Sequence, residues 1–250
     1  MMTAVSTDTP ASTDTHWNEL NTDYDVVLAT DPSNRALLAG VLDLLPRDAQ
    51  SLLDLGSGTG RLTAMCREVL PEAEFVGLDP APNMVADARV KFAGDPKTRF
   101  VEGVAEDLSQ FADESFDVII SSFALHHLSH DDKRVSAAEA FRVLKPGGRF
   151  INADQYCRVM GEPGDRDRVL DVFELLTAKA RYYLLHASLE RMLLQLDLLP
   201  LFIREDGEIL ATAEFWVEAL SDAGFADPRI VATEPVELFN RVVWATKPGQ

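Results

Sequence analysis

Ser51-Leu52-Leu53-Asp54-Leu55-Gly56-Ser57-Gly58-Thr59-Gly60 is an apolar run that ends in three glycines at alternate positions, and 19 residues after Gly60 a second apolar run closes on an acid, Asp79. The pattern predicts strand, sharp turn, helix and strand, the unit that binds a nucleotide. Lacking Cβ, the glycines let the chain turn sharply and bring N–H groups against a ligand, while a helix beginning near Arg61 offers its positive end. Asp54, on the strand, can fix this loop or accept a hydrogen bond from a cationic ligand group. With the usual right-handed crossover, Asp79 falls where ribose hydroxyls would lie. Dinucleotides favour G-x-G-x-x-G, whereas the spacing here is G-x-G-x-G.

Working outward, five short apolar runs at 51–55, 74–78, 98–103, 116–121 and 148–153 alternate with helical stretches, which predicts a doubly wound α/β sheet of buried parallel strands. Leu37, Leu38, Val41, Leu42 and Leu45 form a helical stripe ended by Pro46. Lys145-Pro146-Gly147-Gly148 predicts a stop and turn before the fifth strand. From Asp165 to about Leu199 two helices are expected, with apolar positions Val169, Val172, Phe173 and Leu176 on the first and Leu189, Met192, Leu193 and Leu196 on the second. A helix over 213–223 and strands near 228–233 and 238–246 complete the chain.

Length and composition suit one α/β domain, 16–250, preceded by a disordered tail, 1–15, with 155–206 as an inserted helical cap. The tail lacks the basic and apolar regions of a signal peptide, and the longest apolar candidate, Met192 to Ile203, is too short and too interrupted to cross a bilayer. Cys66 and Cys157 are too few for a disulfide scaffold, so a reduced, cytoplasmic setting is expected. A formal charge of −18 opposes a nucleic-acid partner, whose phosphates require Lys and Arg. Residues 155–206 are nearly neutral, with seven basic against nine acidic side chains. No membrane partner is expected, and the assembly is expected to be a monomer or homodimer.

Five blocks in order carry a family resemblance: Leu53 to Gly60; Gly77-Leu78-Asp79-Pro80-Ala81-Pro82-Asn83-Met84; Val101 to Leu108; Phe116 to Leu128; and Arg142 to Phe150. The chain resembles the class I S-adenosylmethionine-dependent methyltransferases. The resemblance implies a Rossmann-like, seven-stranded, mostly parallel sheet of order 3-2-1-4-5-7-6, with the helical cap after strand 5. It implies S-adenosyl-L-methionine as cofactor and transfer of its methyl group to an O, N or C nucleophile of a small-molecule acceptor.

Residue by residue, the resemblance places Gly56, Ser57, Gly58, Thr59 and Gly60 at the methionyl end of the cofactor, with Asp54 beneath them. Asp79 takes the ribose hydroxyls, Pro80 follows it, and Met84 packs on the adenine. The third block closes the adenine pocket. Val104 stands where the family often has Asp, Ala105 offers its N–H, and Glu106 or Asp107 supplies the acid. The Ser121 carbonyl meets the cofactor's amino group, and a short helix around Trp17, Leu20, Tyr24 and Val27 folds over it, making Tyr24 a contact.

His126 is the candidate catalytic base, since an imidazole at this edge can take a proton from the acceptor, although a helix-capping or packing role is the alternative. His127, Tyr156, Arg181 and Tyr182, with Tyr183 and His186, are expected to line the acceptor pocket. No metal is expected: a site of His126, His127, Asp131 and Asp132 would rest on adjacent histidines, which do not supply the i, i+4 geometry of helical ligands. The alternatives are a cofactor-modifying enzyme of the carboxy-S-adenosylmethionine synthase type, a non-catalytic cofactor-binding or regulatory subunit, and a nicotinamide-dependent oxidoreductase.

Overall fold

The computed structural model describes residues 31–249. The expected tail, the helix around Trp17 and the contact Tyr24 lie outside these residues.

The chain enters the described region through helix α1 (Pro32–Leu44), whose N-cap is Asp31. The Asp31 carboxylate accepts from Ser33 N at 2.9 Å, and Pro32 occupies the first helical position, where its missing N–H has no consequence. The helix leads into β1 (Ser51–Leu55), and the alternation continues through α2 (Arg61–Val69), β2 (Glu74–Asp79), α3 (Pro82–Lys91), β3 (Thr98–Glu102), β4 (Phe116–Ser122), α4 (His130–Val143) and β5 (Leu144–Gln155). Two helices, α5 (Arg166–His186) and α6 (Leu189–Arg204), follow, and then α7 (Ala213–Asp222), β6 (Ala226–Ala232) and β7 (Asn240–Thr246).

The seven strands lie in the order β3-β2-β1-β4-β5-β7-β6, with β7 antiparallel to both neighbours and the other pairs parallel. Successive side chains of each inner strand feed opposite faces, as the two-residue period requires. Leu52, Val118, Ile120, Ile151 and Val242 join Leu37, Leu38 and Val41 of α1 on one face. Leu53, Ile119, Phe150 and Val243 join Ala137 and Ala140 of α4 and Trp216 of α7 on the other.

The sheet departs from the sequence expectation at Lys145 to Gly148. The stop and turn expected there is a bulge within a longer strand: β4 pairs Phe116 with Leu144 and resumes at Val118 with Arg149. Gly147 takes φ +81° there, and its N–H is held by the Lys247 carbonyl at 2.9 Å.

The second departure is on α5 and α6. The inward side of α5 is Val172, Leu175, Leu176, Lys179, Ala180 and Tyr183, while the expected Phe173 is exposed. On α6 the expected Leu189, Leu193 and Leu196 are exposed, and the buried side chains are Arg191, Gln195 and Phe202. The apolar residues of α6 follow a helical period, but periodicity does not say which face meets the protein, and here a polar face does.

Beneath the glycine loop, Phe100 of β3 fills a slot left by two glycines. A Cβ on Gly77 would stand 2.2 Å from Phe100 Cδ1 and 2.8 Å from Ser57 Oγ, and one on Gly60 would stand 2.8 Å from Phe100 Cζ. Overpacking of this kind costs about 1–3 kcal/mol. Gly77→Ala should therefore lower the urea unfolding free energy by about that amount; an unchanged midpoint would show that the ring moves aside freely.

Candidate active site

The loop after β1 is attached to β2 rather than left open. Gly56 N and Ser57 N donate to the Leu78 carbonyl at 2.8 and 3.0 Å, and Gly60 N donates to the Ser57 carbonyl at 2.8 Å. Gly58 N donates to Asp79 Oδ2 at 2.7 Å, and Ala81 N donates to Asp79 Oδ1 at 2.9 Å. The three loop glycines have φ of +66°, +51° and +78°, values that side chains with a Cβ rarely adopt. Burial raises the Asp79 carboxyl, and the two N–H bonds only partly offset it.

Asp54 lies below this loop, buried, accepting from Thr63 Oγ1 at 2.6 Å. Burial pushes its carboxyl up to about 7; the Thr63 bond opposes the rise and the nearby Asp79 adds to it. Ser121, opposite Leu55 in the sheet, is buried and donates its hydroxyl to the Leu55 carbonyl at 2.8 Å.

Along the rim, Pro80 is exposed and Met84 is half-buried in the first turn of α3. Val104 is exposed and Ala105 buried. The two acids that follow separate clearly. Asp107 is exposed and caps its own turn by accepting from Ser109 N at 3.0 Å. Glu106 is half-buried, its carboxyl raised by burial, and its Oε2 is buried with no hydrogen-bond partner among the described residues. Ser57 Oγ is in the same condition. Two buried polar atoms, one on the loop and one after β3, thus lack among the described residues the partners that folded proteins normally supply.

The histidines sit in a 3-10 turn, Leu125–His127, just beyond β4. His126 is buried, and Asp154 at the end of β5 grips it twice. Its backbone N donates to Asp154 Oδ2 at 3.1 Å, and its Nδ1 lies 2.7 Å from Asp154 Oδ1. Its Nε2 lies 3.1 Å from Glu208 Oε2. Burial works against the imidazolium, but the two carboxylates overcome it and raise His126 to about 9. Both ring nitrogens face acids, so a cationic His126 has no lone pair with which to act as the expected base.

His127 differs. Its Nδ1 lies 2.7 Å from the Gly207 carbonyl, and burial followed by the charge of His126 lowers it to about 4. Glu208 has no counterpart in the sequence reading. It stands on the connector after α6, which is strapped to the histidine turn by Ile209 N donating to the His126 carbonyl at 2.9 Å. Buried Lys133 donates to the Ile209 carbonyl at 2.8 Å and to the carbonyl of Leu128.

The residues expected to line an acceptor pocket divide. Tyr156 is 1% exposed, belongs to the core with Leu125, Phe150 and Trp216, and accepts from Asn152 Nδ2 at 3.2 Å. Arg181 is exposed, because its position on α5 faces away from the buried stripe. Tyr182 is half-buried with its ring 4.5 Å from that of His186. The inward cations are instead Arg168, which pairs with Glu205 at 2.7 Å, Lys179 and Arg191. Lys179 Nζ donates to Gln155 Oε1 and Asn240 Oδ1, each at 2.9 Å. Arg191 lies 3.9 Å over the Tyr183 ring and 3.8 Å from Asp31 Oδ2. The spacing of Val172, Leu176, Lys179 and Tyr183 would have indicated Lys179, had it been read as one stripe.

This geometry is that of an α/β domain that binds a nucleoside-containing cofactor at the carboxyl ends of β1, β2 and β4. Residues 53–152 match the family described as Methyltransferase domain. The chain is 39% identical over 128 residues to the malonyl-(acyl-carrier protein) O-methyltransferase of Methylococcus capsulatus, covering 51% of this chain and 45% of that protein. It is 40% identical over 108 residues to the demethylmenaquinone methyltransferase of Thermus thermophilus, covering 43% and 48%. The fold is similar to that of a SAM-dependent methyltransferase from Thermotoga maritima, with a TM-score of 0.59 at 20% identity over 94% of this chain and all of that one. The chain spans about half the length of the curated relatives it matches. Over residues 53–152 the chain is similar to the methyltransferase domain, and S-adenosylmethionine is the cofactor that these likenesses indicate. Among the described residues no helix is long and apolar enough to cross a membrane.

Asp54 faces Thr63 and Cys66 of α2 and Asp79 of β2, and no cation among the described residues offsets its burial. Its protonated form therefore persists up to about pH 7, and a cationic ligand favours the ionised form. Affinity for S-adenosylmethionine, relative to that of Asp54→Asn, should rise by up to about tenfold as pH increases through this midpoint. Calorimetric titrations of both proteins on either side of neutrality check this, and parallel profiles would remove Asp54 from cofactor binding.

Proposed function

We propose that the protein transfers the methyl group of S-adenosylmethionine to an O, N or C nucleophile of a small-molecule acceptor. The support for this reading is two buried oxygens without a partner among the described residues, Ser57 Oγ on the glycine loop and Glu106 Oε2 after β3, together with loop N–H groups that are already engaged. Such a site calls for a ligand that brings donors, as an adenine amine and a ribose hydroxyl do, rather than a pyrophosphate that needs them.

When bound, the cofactor supplies an electrophilic methyl group on a cationic sulfur. In the proposed arrangement Asp79 accepts from the ribose hydroxyls, Glu106 accepts from the adenine amine, Met84 packs on the base, and Ala105 offers a backbone N–H. The Ser121 carbonyl and the Gly56 to Gly60 loop border the methionyl end, and Asp54 favours positive charge there. The chain's remaining task is to orient the acceptor in line with the breaking bond and to exclude water, a role this reading gives to α5 and α6. A modified, carboxylated cofactor would call for an arginine at the site: Arg181 is exposed, and the buried Arg168 and Arg191 are engaged by Glu205 and by Tyr183 and Asp31.

Asp79→Ala should weaken S-adenosylhomocysteine binding on the order of 10- to 100-fold, the loss expected for hydrogen bonds to a charged group. Incubation with methyl-labelled cofactor and a filtered small-molecule extract should then label a low-molecular-weight product with the native protein and much less with the variant. Label confined to protein or nucleic acid would overturn the small-molecule reading.

A further inference from the structure

His126, His127 and Glu208 each bring one ligand atom to a common point, all within 4.8 Å of one another. We propose that these three side chains bind a single divalent transition ion of the zinc type, with an open position that takes a hydroxyl or thiol of the acceptor. The acceptor part of this inference rests on the methyl-transfer reading; the ion site does not.

The first support is distance. Nitrogen and oxygen ligands lie about 2.0–2.2 Å from zinc, so neighbouring donors on one tetrahedral ion stand about 3.4 Å apart. His126 Nε2 and Glu208 Oε2, 3.1 Å apart, already have nearly that separation, and the donor of the partly exposed His127 has to close by up to about 1.4 Å.

The second support is the outer partners. Metal-binding imidazoles usually donate their other N–H to a carboxylate or a backbone carbonyl, which fixes the ring and its tautomer. Both histidines here have such a partner: His126 Nδ1 on Asp154 Oδ1 and His127 Nδ1 on the Gly207 carbonyl, each at 2.7 Å. A carbonyl only accepts, so His127 Nδ1, which also stands 3.8 Å from Glu208 Oε2, carries the proton, and Nε2 is the ring nitrogen that has to turn to the ion. On His126, the ion takes the place of the proton that Nε2 shares with Glu208. Asp154 is further fixed by Gln155 N at 2.8 Å. The neighbouring cation, Lys133, is engaged by the carbonyl oxygens of Leu128, Ile209 and His126.

The donor set selects the ion. Two imidazoles and one carboxylate suit zinc or ferrous iron, whereas calcium and magnesium prefer more oxygen ligands. Three protein ligands leave at least one position for another molecule. Its direction is indicated by burial: the side chains of His126 and Glu208 are 6% and 3% exposed, whereas His127 is 22% exposed.

The place in the fold gives the ion its use. A Cβ on Gly56 would stand 2.2 Å from Ala124 Cβ, so the cofactor loop abuts the turn that carries both histidines. A hydroxyl or thiol bound to the ion loses its O–H or S–H proton to water, and the electron pair left on oxygen or sulfur is the one that attacks the methyl carbon. The sequence pattern hid this site because Glu208 lies 81 residues beyond His127. Asp131, the nearer acid, is exposed and paired with Arg134, and Asp132 accepts from Ser129.

The test uses the full chain, stripped with a chelator and titrated with Co2+ as an optical probe. The expected result is one Co2+ per chain with a visible band of nitrogen-ligated cobalt, displaced by Zn2+. His127→Gln and Glu208→Gln should each weaken binding at least about tenfold, and the outer-partner variant Asp154→Asn by about 10- to 100-fold. His186→Ala, on the outer side of α5, should have no effect. Adding 2-mercaptoethanol should produce a sulfur-to-cobalt charge-transfer band. Absence of one-to-one binding, or native affinity in His127→Gln, overturns the ion site. The partly exposed His127 makes that variant the safest for folding, and S-adenosylhomocysteine binding verifies it. Binding of Co2+ with no thiol band overturns the open position. Loss of S-adenosylhomocysteine binding by the native protein would instead count against the methyltransferase reading, leaving the cobalt result to be judged separately.

Discussion

The attachment of the glycine loop to β2 is the constraint from which the rest of the site follows. Leu78 offers one carbonyl to two loop N–H groups, and Asp79 offers its carboxylate to a third. Neutral hydrogen bonds of this kind contribute about 0.5–1.5 kcal/mol each and those to a charged group about 1.5–3, so the loop is held firmly without any ligand. Holding it there requires positive φ at three positions, a bare Gly77 above Phe100, and contact between Gly56 and Ala124. The last contact brings the histidine turn to the edge of the cofactor site. It also explains why G-x-G-x-G differs chemically from the dinucleotide spacing: the N–H groups that would cradle a pyrophosphate are turned onto β2, which removes the support for a nicotinamide cofactor.

The cofactor half of the protein was legible because its determinants are local. Strand, glycines, helix and acid occur within thirty residues, 51–80, and their order alone specifies which atoms meet. All seven strands and their order were expected, with differences where a short-range signal had a long-range solution. The Pro-Gly-Gly at 146–148 signals a break, but β7 supplies Lys247 on the far side and converts the break into a bulge. On α6, leucines recur with helical period, yet the face that packs contains Arg191 and Gln195. Hydrophobic periodicity assigns a helix reliably and its orientation only when the apolar face is the buried one.

The acceptor half is assembled from distant segments, and its electrostatics are divided in a way that net charge conceals. A chain of −18 encloses three buried cations on α5 and α6, Arg168, Lys179 and Arg191. Burial lowers Lys179 to about 7, with Arg191 and Arg241 adding to the fall and Asp154 and Asp31 opposing it. Its direct partners are amide oxygens, which accept from either protonation state. On the histidine side Asp154 and Glu208 concentrate negative charge around His126. Neither Arg181, which is exposed, nor Tyr156, which is in the core, belongs to these two charged groups.

This division explains how far likeness to other proteins reaches. The family match, 53–152, ends before Asp154, Lys179, Arg191 and Glu208, and contains the whole glycine loop, Asp79 and Glu106. Relatives named for O-methylation of an acyl-carrier substrate and for demethylmenaquinone methylation match this chain at nearly equal identity, 39% and 40%. Shared sequence therefore follows the cofactor, where a few short-range contacts must be kept together. The histidine turn, the end of β5 and the connector after α6 are joined by long-range contacts that are separate from the bonds of the loop. His126 and His127 lie inside the matched segment, but what they do is decided by Asp154, Gly207 and Glu208, which lie outside it.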